Sequence, residues 1–354
     1  MSAPRPKGLT RTSIEWCRDP VTGKWGFSWN FVDGCAYASE GCRFCYAEAI
    51  ATRFAGSPAF PHGFALTLRE DRLPGPLHRR TPARIFVNSM SDLGLSEIPI
   101  ELLVQAFAVM ALCPRHTFLI LTKRPTVLRT RLSNPAFAAA VAAQLASVDR
   151  QASLTWPLPN VHIGVSVEDQ AHAWRVLELL RIPAVVHWVS AEPLIGAVNL
   201  RAVPARDGTV VDCLAGNVLA ADGGPVVGAA PARVRWVVVG GESGSAAGIR
   251  PMHPVWEEQI RTDCSAVGTA YFFKQWGAFA PHGAGQPDAN GRHGPLTLVA
   301  PDGSRHHAGA EAPTGSVLMA RYGKSRAGRR VAGSMFDAYP IVDADHGALV
   351  VVAR

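Results

Sequence analysis

Three of the chain's seven cysteines, Cys35, Cys42 and Cys45, lie within the segment GCAYASEGCRFCYAE, which covers residues 34–48. Thiolates are strong ligands for soft and borderline metal ions, so three of them this close together indicate metal or redox chemistry rather than a dispersed set of disulfides. A structural zinc site nearly always takes four protein ligands. The spacing C-x6-C-x2-C therefore leaves one coordination position to be filled from outside this segment.

Two explanations for the fourth position stay open on the sequence. Cys17 is the nearest further cysteine, and with it the segment would form a four-cysteine zinc or iron–sulfur site. Alternatively, the three thiolates hold an iron–sulfur cluster with one open iron, and an open position distinguishes a catalytic metal from a structural one. Gly34 and Gly41 directly precede two of the cysteines, which favours a loop that wraps closely around an inorganic core.

Six apolar runs follow the cysteine segment, and each predicts a strand buried on both faces of a parallel sheet. The runs are RIFVNSMSDL (84–93), TFLILTKRP (117–125), VHIGVSVED (161–169), VVHWVSAEP (185–193), VRWVVVGGESG (234–244) and AYFFKQWG (270–277). Helical stretches lie between them, and this alternation predicts an α/β fold. One helix is expected after Ser96 as its cap, and another has Trp174, Leu177 and Leu180 as its apolar stripe.

Polar side chains cluster where these runs end. In a barrel of parallel strands all carboxyl ends face one mouth, whereas a doubly wound sheet gathers them only near its switch point. Six such ends therefore favour a partial parallel (β/α) barrel, although helix caps and ordinary loop residues explain part of the pattern. The residues are Asn88, Ser89, Ser91, Asp92, Thr122, Lys123, Arg124, Ser166, Glu168, Ser190, Glu192, Glu242, Ser243, Lys274 and Gln275. Gly240 and Gly241 suit either a phosphate or adenine cradle or a tight strand-to-helix turn.

Composition and charge along the chain predict its domain organisation and its partners. Residues 1–280 are expected to form the barrel, with the Gly- and Ala-rich stretch 201–233 as an inserted flap. Residues 281–354 are expected to form a loop-rich extension packed on it. No apolar run follows the first residues, which predicts a cytoplasmic protein without a membrane partner. The net charge of +7 permits a nucleic-acid partner, but solvated arginine faces explain it equally well.

The segment CRFC (42–45) resembles the cysteine motif of the radical SAM superfamily, in which an aromatic residue directly precedes the last cysteine. The usual pattern there is C-x3-C-x-aromatic-C, and the first gap is six residues here. The chain also resembles an uncharacterised bacteriophage-associated, radical-SAM-like protein family that occurs widely in bacteria. The matching stretches are TSIEW, WNFVDGC, GCRFCYAE, FVNSMSDL, LTKRP, GVSVE, SAEPL, GGESG and FFKQWG, between residues 12 and 277, and more loosely GKSRAGRRVAGSMFDAYP up to residue 340.

This resemblance implies a radical SAM type of partial barrel and an enzyme mechanism. Cys35, Cys42 and Cys45 would ligate a [4Fe–4S] cluster whose open iron binds S-adenosylmethionine. An external electron donor would then drive cleavage to a 5'-deoxyadenosyl radical that takes hydrogen from a substrate. The competing class is a zinc- or iron–sulfur-stabilised nucleic-acid-binding module without catalysis. An iron–sulfur protein that only transfers electrons is a weaker third interpretation, because electron transfer alone does not require polar residues across a whole barrel face.

The resemblance also assigns roles around the cluster. Ser89, Ser91 and Asp92 are candidates for binding the methionine amino group, Lys123 or Arg124 the methionine carboxylate, and Ser166 and Glu168 the ribose hydroxyls. Glu192, Glu242 and Lys274 are candidate catalytic residues in the barrel mouth. For the substrate, the positive charge and the phage association suggest a nucleic acid or nucleotide, and a protein or peptide from a neighbouring gene is the other expected class.

Overall fold

The computed structural model describes residues 8–283, 293–342 and 349–352. A mostly parallel sheet of eight strands forms its centre. Its strands are β1 (Leu9–Arg11), β2 (Phe27–Trp29), β3 (Arg84–Val87), β4 (Thr117–Thr122), β5 (Val161–Ser166), β6 (Val186–Ala191), β7 (Val234–Gly240) and β8 (Ala270–Gln275). β1 runs antiparallel to β2, and all the other neighbouring pairs are parallel. The α/β fold with a parallel sheet is confirmed.

The spatial order of the strands is their order along the chain, from β1 at one edge to β8 at the other. A doubly wound sheet would reverse direction at a switch point, and this sheet has no such reversal. All six predicted runs form strands. The strand β2 was not predicted, because three residues are too few to show a hydrophobic period.

Helices lie between all neighbouring parallel strands of the main sheet except β6 and β7, and one further helix follows β8. They are α1 (Tyr46–Arg53), α2 (Ile100–Ala111), α3 (Pro125–Leu132), α4 (Pro135–Val148), α5 (Trp174–Leu179), α6 (Pro254–Val267) and α7 (Lys324–Ala327). Short 3-10 turns cover Glu15–Cys17, Glu40–Cys42, Glu70–Arg72, Gly75–His78 and Gln170–His172.

Two details of these helices differ from the prediction. Pro99 occupies the N-cap position of α2 and no side chain caps it, while the hydroxyl of Ser96 donates to Glu97 instead. On α5 the buried apolar residues are Val176 and Leu179, and Trp174 is 42% exposed. Of the expected stripe, Leu180 is buried and Leu177 packs partly buried against the large core, so only Trp174 departs from the prediction.

Side chains alternate between the two faces of the sheet. Residues such as Ile85 and Ile120 belong to the large core shared with the connecting helices. Their neighbours Phe86 and Leu119 belong to a second, mainly aromatic cluster on the opposite face, which we call the inner face. The inner-face cluster comprises Trp16, Cys17, Phe86, Leu119, Trp188, Trp236, Val238, Ala270, Phe272 and Tyr339. This period of two brings every second residue at the strand ends to the same side.

Smaller antiparallel sheets surround the main one. The inserted stretch forms four strands, Val203–Pro204, Val210–Asp212, Asn217–Leu219 and Val226–Ala229, between β6 and β7. After β8 a second four-stranded sheet contains Phe279–Pro281, Leu296–Val299, Arg305–His307 and Val317–Arg321. Two-stranded pairs join Val32–Asp33 to Thr67–Leu68 and Tyr339–Val342 to Leu349–Val352. Among the described residues, no helix has the length and apolarity needed to cross a membrane.

Candidate functional site

Polar side chains at the carboxyl ends of β3 to β8 form a network of ion pairs and hydrogen bonds. Asp92, Glu168, Glu192 and Glu242 each follow a parallel strand, and each is paired with a cation in the structure. The cysteine segment lies against the same ends of the strands. The network therefore fixes the position of the three thiols relative to the sheet.

Asp92 is the anchor of the β3 and β4 ends. One carboxylate oxygen accepts from the hydroxyl of Thr122 and from the backbone N–H of Gly94 at 2.8 Å. The other accepts from the N–H of Lys123 at 2.9 Å and from the Arg124 guanidinium at 3.0 Å. A carboxylate has about four acceptor positions, so Asp92 has no free one for the amino group of a cofactor. Its observed role is to hold Arg124.

Arg124 connects this anchor to the first cysteine. Its Nη1 lies 3.7 Å from the Sγ of Cys35, and its Nη2 donates to the carbonyl of Ala36 at 2.7 Å. Ser91 holds the same loop by donating to the carbonyl of Gly34 at 2.6 Å. Arg124 thus places a positive charge beside a candidate metal ligand, and this charge favours the thiolate form.

Glu168 is fully buried and links β4, β5 and the cysteine segment. It accepts from the Lys123 ammonium, from the hydroxyl of Ser39 at 2.9 Å and from Arg175 on α5 at 2.8 Å. Burial opposes ionisation, but Lys123 and Arg175 outweigh it, and the pKa of Glu168 is lowered overall. Because it is enclosed and paired on both oxygens, Glu168 orients the loop rather than presenting a free oxygen to a ribose. Ser166 is also buried, and its carbonyl accepts from Arg175 at 2.9 Å.

Glu192 and Lys274 pair at 2.9 Å across the end of β7. The residue between them is Gly240, and a Cβ there would stand 2.5 Å from Glu192 Oε1. The glycine therefore lets the carboxylate of Glu192 cross β7 to reach Lys274. Ser190 donates to the other oxygen at 2.9 Å. Burial disfavours the ammonium form of Lys274, but Glu192 and then Glu15 stabilise it, and its pKa is raised overall.

Glu242 is held by Arg250 through the backbone N–H at 2.8 Å, through Nε at 3.0 Å and through Nη2. The same Nη2 donates to the carbonyl of Glu40 at 2.9 Å, between the first and second cysteines. Gly241 allows the carbonyl of Trp276 to approach, and its N–H donates to the carbonyl of Gln275 at 2.9 Å, so this glycine has a packing role and its N–H is already used. Glu242 therefore supports the cysteine segment from the β7 side.

Ser89 is paired away from the cysteines. Its hydroxyl donates to the side chain of Asn30 at 3.1 Å, and its carbonyl accepts from the hydroxyl of Tyr46 at 2.6 Å. Tyr46 is the first residue of α1, directly after Cys45, and 53% of its surface is exposed. Desolvation of the hydroxyl end, which donates to the carbonyl of Ser89, and then the nearby Cys45 raise the pKa of this phenol. Tyr46 is therefore a neutral hydroxyl whose charge state is affected by both Cys45 and Glu192.

The seven cysteines fall into two groups. Cys35, Cys42 and Cys45 are half-buried free thiols, whereas Cys17, Cys113, Cys213 and Cys264 are fully buried. Burial and the Asp92 charge raise the pKa of Cys35 to about 11, although Arg124 opposes them. Burial also raises the pKa of Cys45, and the N–H groups of Glu48 and Ala47 at the start of α1 counteract this. A bound metal would displace these thiol protons.

The donor chemistry of the three half-buried thiols fits an iron–sulfur cluster better than a four-cysteine site. Cys17 is enclosed among the inner-face aromatic rings, and burial raises its pKa strongly, so it stays a protonated thiol. In the part of the chain that the structure describes, no three His, Cys, Asp or Glu side chains already form a metal-holding group. Binding a cluster would therefore draw the three sulfurs closer together than they lie in this structure.

Two functional partners were missed by the sequence interpretation. Arg175 lies on α5 and Arg250 in the loop after β7, and neither ends an apolar run. For Arg175 there was a usable signal, since an arginine in a helix directly after a strand-end glutamate can fold back onto it. Arg250 is eight residues from Glu242 in a loop without a regular period, and its second partner, the carbonyl of Glu40, is 210 residues away, so no local pattern indicated either contact.

The fold and this site define a class: a chain-ordered, mostly parallel α/β protein with a cysteine loop held over the carboxyl ends of its strands. The chain matches a family described as "Protein of unknown function (DUF5131)" over residues 11–340, and it belongs to that family. No curated protein matches the chain significantly. No solved structure matches it significantly either.

Proposed function

We propose that this protein is a radical SAM enzyme of the partial (β/α) barrel type. The observation that carries the proposal is the position of the cysteine loop over the carboxyl ends of the strands. Arg124, Ser39 and Arg250 connect the loop to the ends of β4, β5 and β7, so three half-buried thiols lie at the end of the sheet where parallel α/β enzymes place their chemistry.

Cys35, Cys42 and Cys45 would hold the cluster, and their number supports the assignment. Three thiolates leave one iron of a [4Fe–4S] cluster without a protein ligand, and Cys17 is enclosed elsewhere. When bound, the cluster and S-adenosylmethionine would supply a 5'-deoxyadenosyl radical on reduction by an external electron donor. The protein's own residues would orient these groups and exclude water.

Arg124 is the best-placed residue to stabilise negative charge at the cluster side of the site. It already lies beside Cys35, and Asp92 fixes its orientation. A guanidinium held in this way favours thiolate ligation and suits a carboxylate of a bound cofactor. Lys123, in contrast, is committed to buried Glu168 and acts through it on the loop.

Glu192 is the strand-end carboxylate with the most free acceptor capacity. Among the described residues it accepts from Ser190 and Lys274 only, whereas Asp92 accepts four hydrogen bonds and Glu242 accepts three, all from Arg250. Its side chain is 12% exposed, and that of Lys274 is 19% exposed. We therefore assign substrate or cofactor contact to the Glu192–Lys274 pair, with the hydroxyl of Tyr46 nearby.

Anaerobic reconstitution with iron and sulfide tests the assignment. We expect about four irons per chain and an electron paramagnetic resonance signal of the reduced cluster that changes when S-adenosylmethionine is added. Cys35→Ala, Cys42→Ala and Cys45→Ala should each lose most of the iron.

Cys113→Ala is the matched control, because Cys113 is a buried thiol of the large core and should leave iron content unchanged. Two results would contradict the enzyme assignment: loss of the metal in Cys17→Ala but not in Cys35→Ala, or a purified chain with one zinc and no iron. Either result would favour the alternative, a metal-stabilised binding module without catalysis. Binding of single-stranded DNA or RNA by that zinc form would support the alternative directly.

A further inference from the structure

Several buried polar atoms on the inner face of the sheet have no hydrogen-bond partner. They belong to Arg84 on β3, His162 on β5, Trp188 on β6 and Trp16 in the turn before β2, and none of these residues is more than 4% exposed. The atoms are Arg84 Nε and Nη2, His162 Nδ1, Trp188 Nε1 and Trp16 Nε1. We call these four residues the inner donor cluster. Unpaired polar atoms at this depth are rare in proteins and usually indicate a bound water or ion.

Three residues of the inner donor cluster lie beside the same side chain, the indole of Trp236. The ring of Trp188 lies 5.2 Å from it and the ring of Trp16 6.3 Å, measured between ring centroids. The Arg84 guanidinium carbon lies 5.3 Å from the centroid of the same ring. His162 is close enough for the positive charge of Arg84 to add to the effect of burial in lowering its pKa to about 3, so it stays neutral.

Arg84 has no carboxylate within ion-pair distance among the described residues, although it is buried. Three groups are near enough to act on its charge: Tyr339, Cys17 and Asp19. Burial raises the pKa of both Tyr339 and Cys17, so neither supplies a negative charge at neutral pH.

Asp19 is ionised and acts on Arg84 from a distance, but no ion pair joins the two residues; one of its carboxylate oxygens accepts from the N–H groups of Val21 and Thr22 and from the Thr22 hydroxyl. The ring faces of Trp236 and Tyr339, at 5.3 and 5.1 Å, give Arg84 partial compensation. A buried guanidinium still costs several kcal/mol without a full counter-charge.

We propose that the inner donor cluster binds a small monovalent inorganic anion, such as chloride. The guanidinium of Arg84 and the indole N–H groups of Trp16 and Trp188 can only donate, so these three match an anion, whereas a water molecule would also need acceptors for its two hydrogens. Nδ1 of neutral His162 adds a fourth donor in the tautomer that protonates it. A monovalent anion neutralises Arg84 without adding a net charge to the inner face. The aromatic walls favour a weakly hydrated halide over a strongly hydrated phosphate or sulfate. This site is separate from the cysteine loop, and it does not depend on the proposed radical chemistry.

Crystals of the full chain grown in sodium bromide test the site directly. We expect an anomalous peak within hydrogen-bond distance of the Arg84 guanidinium and of at least one indole Nε1. In solution, the thermal midpoint in sodium chloride should exceed that in sodium gluconate of equal ionic strength. Above the dissociation constant it should rise by about 2 °C for each tenfold increase in chloride.

Arg84→Met should abolish the difference between the chloride and gluconate midpoints. Arg79→Met is the matched control, because Arg79 also lies over an aromatic ring, 4.2 Å from that of Phe27, but is only half-buried and belongs to another part of the surface. That variant should keep the chloride dependence. If Arg84→Met does not fold, the bromide crystals of the unaltered chain still show whether an anion occupies the inner donor cluster. A peak of water only at the inner donor cluster, or equal midpoints in chloride and gluconate, would overturn the proposal.

Discussion

Gly41 lies directly against the carboxylate of Glu168. A Cβ at residue 41 would stand 2.5 Å from Glu168 Cγ and 2.7 Å from Oε1. Glu168 cannot swing away, because Lys123, Ser39 and Arg175 hold it from three sides. This contact gives the glycine before Cys42 a physical reason: the cysteine loop rests on a buried carboxylate at the end of β5.

Gly41→Ala should displace the loop and lower its affinity for metal. Gly41 does not have a positive φ, so the substitution adds steric overlap without backbone strain. Overpacking of this kind costs about 1–3 kcal/mol. We expect the free energy of unfolding in urea to fall by that amount and the iron content after reconstitution to fall at least twofold.

Gly228→Ala is the control for this change. Gly228 also lacks a positive φ, and its added Cβ would meet only Val218 at 3.8 Å, an ordinary contact distance. Its unfolding free energy and iron content should match those of the unaltered chain. Equal iron content in both glycine variants would show that the contact with Glu168 does not position the loop.

Glu168→Gln should destabilise the protein by about 3 kcal/mol at neutral pH, because it leaves two cations beside a neutral buried group. The pKa of Glu168 in the folded state is lower than its ordinary value of 4.5. Its contribution is therefore fully present above pH 4.5 and disappears as the pH falls through the folded-state pKa. We expect the stability difference from the unaltered chain to be constant between pH 5 and 7 and to shrink below pH 4.5, as measured by urea unfolding across this range.

Glu178→Gln provides the comparison for Glu168→Gln. Glu178 pairs with Arg129 at 2.7 Å, and the two side chains are 13% and 34% exposed. A more exposed pair is worth less than about 1 kcal/mol. A loss at Glu178 as large as that at Glu168 would mean that burial does not set the strength of these pairs.

Lys274 and Glu192 should be energetically coupled. In a double-mutant cycle of Lys274→Met and Glu192→Gln, the coupling free energy of unfolding should be about 1–3 kcal/mol at pH 7. The folded-state pKa of Lys274 is raised above its ordinary value of 10.5. The coupling is therefore fully present below pH 10.5 and is lost as the pH rises through the folded-state value. Additive losses at pH 7 would show that the two side chains do not act as a pair.

The sequence was sufficient to predict most of the sheet. Long, continuous runs of β-branched and aromatic residues identify strands buried on both faces, and six of the eight were predicted this way. The strand β2 was missed because its three residues, Phe27–Trp29, show no period of their own. The inner-face cluster was missed as well, since Trp16 and Tyr339 join it from segments 323 residues apart.

The candidate site was predictable as a set of residues but not as a set of pairs. Strand ends placed Glu168, Glu192 and Lys274 in one region, because parallel strands share their direction. The partners depended on contacts that no local pattern contains. Arg250 reaches Glu40 across 210 residues, and Glu192 reaches Lys274 only because Gly240 has no side chain.

Formation of 5'-deoxyadenosine by the reconstituted, reduced protein tests the central claim most directly. The protein should release 5'-deoxyadenosine and methionine from S-adenosylmethionine when dithionite is supplied under anaerobic conditions, and Cys45→Ala should release neither. A fully reconstituted protein, with four irons per chain, that leaves S-adenosylmethionine intact alone and with DNA, tRNA or cell extract would contradict the account.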